Sequence, residues 1–183
     1  IMSGEAIAQL SGDAARLGMT FDESAKTQEN AVNSINAQTG AQISLQTVLE
    51  ASNKVSGQIR AQLGSNPEAI ARAVTQAKAL GFELDQIASA GKALLDFESS
   101  ISAELEAELL TGKQLNLEKA RLAALTGDYE TLTKEIADNV GDFNDFSQMN
   151  VLQQEAIAKS VGMTADDLAN ALITEENREQ LLQ

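Results

Sequence analysis

The sequence predicts an all-α protein of about eight helices, arranged as helical hairpins in a bundle. Aromatic residues make up only 3% of the 183 residues and proline occurs once, so the chain lacks the bulky anchors and the turn residues of β-rich folds. Apolar residues recur every three or four positions in most segments, which is the period of an amphipathic helix. Glycine follows many of these segments, where a left-handed C-terminal cap is favoured.

The first two predicted helices are bounded by clear capping signals. Apolar residues at helical spacing run over residues 5–17 and are followed by Gly18. Thr20 and Glu23 form a T-x-x-E capping box that begins the second helix. That helix continues into a long uncharged stretch and is predicted to break at residues 39–40.

A narrow apolar stripe begins near residue 45. Its period of about 3.5 residues is typical of a coiled-coil seam, and it comprises Val48, Ser52, Val55, Ile59 and Leu63. Gly64 can cap this segment, and Asn66 with Pro67 supplies the N-cap and first turn of the next helix. We therefore predict an N-terminal helical segment at 1–64 and an acidic helical hairpin domain at 65–183, with coiled-coil association between subunits.

A long helix is predicted from about Glu83 to Gly112, with charged Glu98, Glu104 and Glu106 on its far side. Most such apolar stripes form part of a core, but in a chain this poor in aromatic residues the stripe can equally face a partner. The candidate interaction stripe comprises Ile87, Leu94, Phe97, Ile101, Leu105 and Leu109.

The C-terminal region is predicted to hold shorter helices. Two span 116–126 and 128–140, and residues 142–150 read as a polar turn whose two Phe side chains point inward. Asn150 caps the next helix, which ends at Gly162.

One helix junction occurs three times, within "AIAQLSGDAARLGMTFDESA", "AIARAVTQAKALGFELDQIA" and "AIAKSVGMTADDLA". A glycine ends one helix and an apolar residue follows it, after which an Asp and an Ala align without gaps. Helix capping and stapling account for this pattern without a ligand; a duplicated module is the alternative. The junction pairs are Gly18 with Met19, Gly81 with Phe82, and Gly162 with Met163.

Composition excludes most familiar sites. The chain has no Cys and no His, which removes disulfides, thiolate metal sites and the commonest general base. The net charge of −14 argues against nucleic-acid binding, which depends on clustered Lys and Arg. We expect no enzyme activity, no cofactor and no metal.

Two acidic clusters have chemical alternatives. Glu104 and Glu108 are spaced like half of a dicarboxylate metal site, but a solvated acidic face is the simpler interpretation. Asp128 and Glu130 flank Tyr129, and paired carboxylates are the groups that hydrolyse glycosides, but acids at a helix N-terminus explain them better.

The uncharged run at 30–49 is half Asn, Gln, Ser and Thr, so it does not read as a membrane span. The chain opens on Ile without a basic or apolar leader, and we expect it to be a piece of a longer protein.

Residues 79–172 resemble the helical region of tail tape measure proteins of tailed bacteriophages. The resemblance rests on "LLDFESSI", "LLTGKQLNLEKAR", "LTGDYETL" and "MNVLQQEAIAKSVGM", in that order. It implies a homo-oligomeric structural protein of the virion that occupies the tail lumen, helps template tube length and leaves before DNA passes. It also implies assembly in the host cytoplasm, with tail tube proteins, baseplate hub proteins and tail assembly chaperones as partners.

The glycines divide the chain into hairpin-sized pieces, so it resembles a folded portion of a tape measure rather than its extended rod. The alternative function is a cellular coiled-coil module for protein–protein interaction.

Overall fold

The protein is all-α, as predicted. The computed structural model describes residues 2–182, the last of them in its backbone only, and within that range every regular element is a helix. The chain divides into two compact units, Ile1–Ala79 and Leu80–Gln183.

The described residues of unit 1, 2–79, form five helices. The predicted caps that bound the first two are confirmed: Gly18 has a φ of 68°, and Thr20 and Glu23 form both hydrogen bonds of a capping box. The break at Gly40 is also present, with a φ of 73°. The helices are α1 (Gly4–Leu17), α2 (Phe21–Thr39), α3 (Leu45–Ser52), α4 (Gly57–Gln62) and α5 (Pro67–Ala79).

The core of unit 1 combines aliphatic residues with a buried polar group. Leu10 and Leu49 are fully buried where α1 packs against α3. Beside them the Asp13 carboxylate, 5% exposed, accepts hydrogen bonds from the Gln28 amide at 2.9 Å and the Gln9 amide at 3.2 Å. A buried carboxylate requires such partners because burial removes its water.

The apolar stripe at 45–63 is a core face rather than a coiled-coil seam. Val48 and Ser52 lie on α3 and Ile59 lies on α4, and Val48 and Ile59 are both buried within the chain. A segment of eight residues and one of six are too short to sustain the heptads of a coiled coil. Because α5 packs against α2 and α3, the boundary between the compact units follows Ala79, whereas the predicted boundary lay at 64/65.

Unit 2 contains seven helices, which brings the described total to twelve rather than the predicted eight or so. The predicted helical segments at 45–63 and 83–112 are each divided into two helices, and the predicted polar turn at 142–150 contains a five-residue helix. Phe146 of that helix is buried as predicted, while Phe143 is only half-buried. The helices are α6 (Leu84–Leu94), α7 (Phe97–Thr111), α8 (Glu118–Thr126), α9 (Tyr129–Val140), α10 (Phe143–Ser147), α11 (Val151–Ser160) and α12 (Ala165–Leu182).

The predicted long helix from Glu83 to Gly112 is interrupted. Asp96 acts as an N-cap: its carboxylate accepts a hydrogen bond from the Ser99 backbone N–H at 3.4 Å and another from the Ser99 hydroxyl at 3.0 Å. An Asp in that role competes with helix continuation, so α6 ends at Leu94 and α7 begins at Phe97.

At two of the three repeated junctions, the glycine of each junction packs against the helix that follows the other junction. A Cβ built on Gly81, which precedes α6, would lie 2.1 Å from the backbone oxygen of Ala171 in α12. A Cβ built on Gly162, which precedes α12, would lie 2.6 Å from the backbone oxygen of Ala90 in α6. Ala90 follows Gly81 by the same nine positions that separate Ala171 from Gly162. The contact is therefore reciprocal, like the self-complementary contact of a twofold dimer.

The junction at Gly18 makes no such contact. Nothing lies within 4 Å of a Cβ built there, so the positive φ alone accounts for this glycine. The three similar sequences thus share the cap, and two of them also require a close backbone approach.

Candidate protein-interaction surface on α7

Helix α7 has small residues inside and large apolar residues outside. Ser100, Ala103 and Ala107 are buried, and α7 packs against α11. The outward side carries four large apolar residues at intervals of four, which we call the α7 stripe. Its members are Phe97, 49% exposed, Ile101, 47%, Leu105, 56%, and Leu109, 86%.

Helical geometry explains the inverted arrangement. Ala103 and Ala107 each lie two residues from Leu105, which is about 200° of rotation around the helix. Small residues allow the backbones of α7 and α11 to approach closely, so there is no room for the larger side chains on that side. The four stripe residues are consequently left on the outer surface of the unit.

The predicted six-residue stripe is therefore divided between two environments. Ile87 and Leu94 belong to α6 and are 0% and 1% exposed, so these two are core residues. Phe97, Ile101, Leu105 and Leu109 belong to α7 and are exposed. The structure does not place all six on one face, because the chain is interrupted at Asp96.

A groove of about 640 Å³ runs beside the stripe. Ile101 and Leu105 form part of its lining, and the segment that leads into α8 forms another part. Arg121 of α8 lies in this groove, where its guanidinium donates to the Glu104 carboxylate and, at 3.0 Å, to the Ser100 hydroxyl. The ion pair joins α7 to α8 across the groove and is largely shielded from water.

The loop between α7 and α8 is held by carboxylates of α7. The backbone N–H of Leu117 donates to Glu104 at 3.2 Å, and that of Leu115 donates to Glu108 at 3.4 Å. Both leucines are buried. The interpretation of Glu104 as part of a solvated acidic face is therefore wrong, since this side chain forms an ion pair and anchors the loop.

The surface around the stripe is acidic. Helix α7 contains four Glu and no Lys or Arg. Glu98 and Glu106 are exposed, whereas Glu104 and Glu108 make the contacts just described. The nearby Lys113 does not neutralise them locally, because its ammonium group donates to the Val140 carbonyl, at the C-terminal end of α9, at 2.8 Å.

The exposed area of the α7 stripe is large enough to be functional. Its four side chains expose on the order of 400 Å². An area of that size lies within the range of the largest apolar patch on an ordinary monomer, which is often functional. Leu122 and Leu125 of α8 are also exposed, at 61% and 62%.

The other candidate sites have structural roles. Asp128 accepts a hydrogen bond from the Thr131 backbone N–H at 3.1 Å as the N-cap of α9, and Glu130 lies 3.9 Å from Lys134. Tyr129 is 8% exposed, and burial raises the pKa of its phenol. Throughout residues 2–182, no group of three or more acidic side chains is arranged to hold a metal ion.

A membrane-spanning helix is not found among the described residues: none is both long and apolar enough to cross a bilayer. Comparison of the chain with protein-family models, curated proteins and solved structures gives no match.

Proposed function

We propose that the chain is a structural, non-catalytic segment of a tailed-bacteriophage tail tape measure protein, and that α7 is where it contacts another protein of the tail. The observation that carries the interaction role is the α7 stripe, because four large apolar side chains face outward while alanines occupy the inner side. The assignment to a phage tail rests on the resemblance of residues 79–172 to tape measure proteins.

Further features agree with this proposal. The carboxylates of α7 repel phosphate, which suits a protein that occupies the tail lumen and leaves it before DNA passes. The segment is folded into hairpins, so its contribution to the tail is a binding surface rather than length. Self-association, and contacts with tail tube proteins, hub proteins and assembly chaperones, are part of the same proposal.

The experiment is an in-frame deletion of residues 79–172 from the parent gene, followed by electron microscopy of the particles and an infectivity assay. We expect missing or misassembled tails and loss of infectivity. Normal tails of unchanged length, with full infectivity, would contradict the proposal.

A finer test uses the double substitution Leu105→Asp and Leu109→Asp in the parent gene. Both side chains are exposed, so the unit is expected to fold while assembly decreases. Leu181→Asp is the matched control, because Leu181 is 87% exposed and lies on α12. If mass spectrometry of purified virions finds no peptide of the chain, the alternative of a cellular helical interaction module replaces the virion proposal.

A further inference from the structure

We propose that the α7 stripe and its adjoining groove bind a basic amphipathic helix of another protein. The inference rests on the proposed interaction role of this surface, and it holds whether or not the parent protein belongs to a phage. Spacing, charge and area each contribute to the argument.

The spacing of the stripe is that of a helix-packing ridge. Its members, Phe97, Ile101, Leu105 and Leu109, are four residues apart and form a single i±4 ridge. Such a ridge packs against either the i±4 or the i±3 ridges of a second helix, at a crossing angle of about −50° or about +20°. A sustained coiled coil is not indicated, because it requires alternating spacings of three and four.

Charge selects the partner. At about 100° of rotation per residue, Glu98 lies within the sector occupied by the stripe, and Glu106 lies about 60° beyond Leu109. Both are exposed carboxylates, and α7 contains no basic residue. A helix with Lys or Arg beside its apolar face would therefore meet opposite charges at the edge of the contact.

The same charges disfavour a second copy of the chain at this surface. Two α7 helices packed through their stripes would bring together eight Glu side chains with no base on either helix. Of these, Glu104 is satisfied by Arg121 within its own chain, but the exposed Glu98 and Glu106 would face like charges. Like-charged juxtaposition discriminates strongly against a partner.

The area matches the apolar part of one standard interface. The α7 stripe exposes on the order of 400 Å², and a standard interface buries roughly 800 Å² per partner, of which a little over half is apolar. Area alone does not set the affinity, so the dissociation constant is taken from the titration. Helix-in-groove recognition through residues at i and i+4 is an established mode of this size.

The test uses the full 183-residue chain and three labelled synthetic peptides of about 18 residues, monitored by fluorescence anisotropy. The first is a basic amphipathic helix with Leu at intervals of four, the second has the same leucines with Glu in place of Lys, and the third is a scramble of the first. We expect the basic amphipathic peptide to bind at least about tenfold more tightly than either of the others.

Variants locate the binding. Leu105→Asn is expected to weaken binding of the basic amphipathic peptide by about tenfold, and Leu109→Asn is a second apolar variant at a site that is 86% exposed. The double substitution Glu98→Gln and Glu106→Gln should weaken binding several-fold and reduce its salt dependence. The controls are Leu181→Asn and Glu29→Gln, both at exposed positions outside α7, and neither should change binding.

Three outcomes would overturn the proposal. One is equal binding of the acidic and basic amphipathic peptides, or no binding of either. Another is equal binding of the scrambled peptide, which would indicate charge without helical recognition. The third is a chain dimer in sedimentation equilibrium that Leu105→Asn abolishes, since the second copy would then occupy the surface. These outcomes are independent of the virion experiment, so each proposal can fail alone.

Discussion

Replacing Gly162 by alanine tests the reciprocal junction contact between α6 and α12. The new Cβ would lie 2.6 Å from the Ala90 backbone oxygen and 3.0 Å from the Ala93 Cβ. A backbone oxygen within a helix cannot rotate away, so the helices must separate. We expect the free energy of unfolding to fall by about 1–2 kcal/mol because an L-residue must adopt a φ of 77°. The clash should lower it by about 1–3 kcal/mol more.

A matched control separates these two contributions. Gly112 ends α7 with a φ of 70°, and nothing lies within 4 Å of a Cβ built there. Gly112→Ala should therefore show only the backbone cost of about 1–2 kcal/mol. Gly81→Ala, like Gly162→Ala, should destabilise the protein by more than this backbone cost, because its Cβ would lie 2.1 Å from the Ala171 backbone oxygen.

The chain contains a built-in probe for this measurement. Tyr129 is the only tyrosine, tryptophan is absent, and Tyr129 lies in unit 2 with all three glycines. Its fluorescence during urea titration reports unfolding around α9, and a shift of the midpoint at constant m-value gives the change in free energy of unfolding. If Gly162→Ala and Gly112→Ala lower that free energy equally, the close approach contributes nothing and the reasoning is refuted.

Three other substitutions have defined expectations. Arg121→Ala leaves the Glu104 carboxylate without its ion-pair partner and should lower the free energy of unfolding by about 1–3 kcal/mol in urea titration, whereas no loss would contradict the role of the ion pair. Asp13→Ala removes the nearer of the two acceptors of the Gln28 amide and should lower the free energy of unfolding by about 1–3 kcal/mol, measured by circular dichroism, with an unchanged midpoint as the contrary result. Burial, and then the charge of Glu179, raises the pKa of Glu175, so its ionisation destabilises the fold as pH rises through the raised pKa. Glu175→Gln should therefore raise the melting temperature at pH 7, and this gain should disappear as the pH falls toward the ordinary Glu pKa. An equal gain in melting temperature at pH 7 and near that pKa would contradict the prediction.

Local chemistry is what the sequence predicts well. The capping box of Thr20 and Glu23, the Asn66 cap and the Asn150 cap each depend on side chains within three residues of the helix start, and all are present. The Asp96 cap was not predicted, although Asp is a favoured N-cap residue. The continuous apolar period over residues 87–109 concealed it.

The orientation of α7 could not be predicted from its own residues. Apolar periodicity marks a face but does not say whether that face meets the same chain, and α7 buries its alanines instead of its leucines because α11 offers a closely fitting surface. The functional candidates Phe97, Ile101, Leu105 and Leu109 were thus identified by pattern, but only the tertiary packing separates them from Ile87 and Leu94. The reciprocal contact of the Gly81 and Gly162 junctions could not be predicted either, because it depends on how α6 and α12 pack in the folded chain.

That reciprocity has a consequence for how unit 2 can open. Each of the two helices packs closely against the turn that leads into the other, so separating α6 from α12 exposes both close contacts. We therefore expect opening at this position to release Gly81 and Gly162 together, which makes α6 and the start of α12 a single cooperative element.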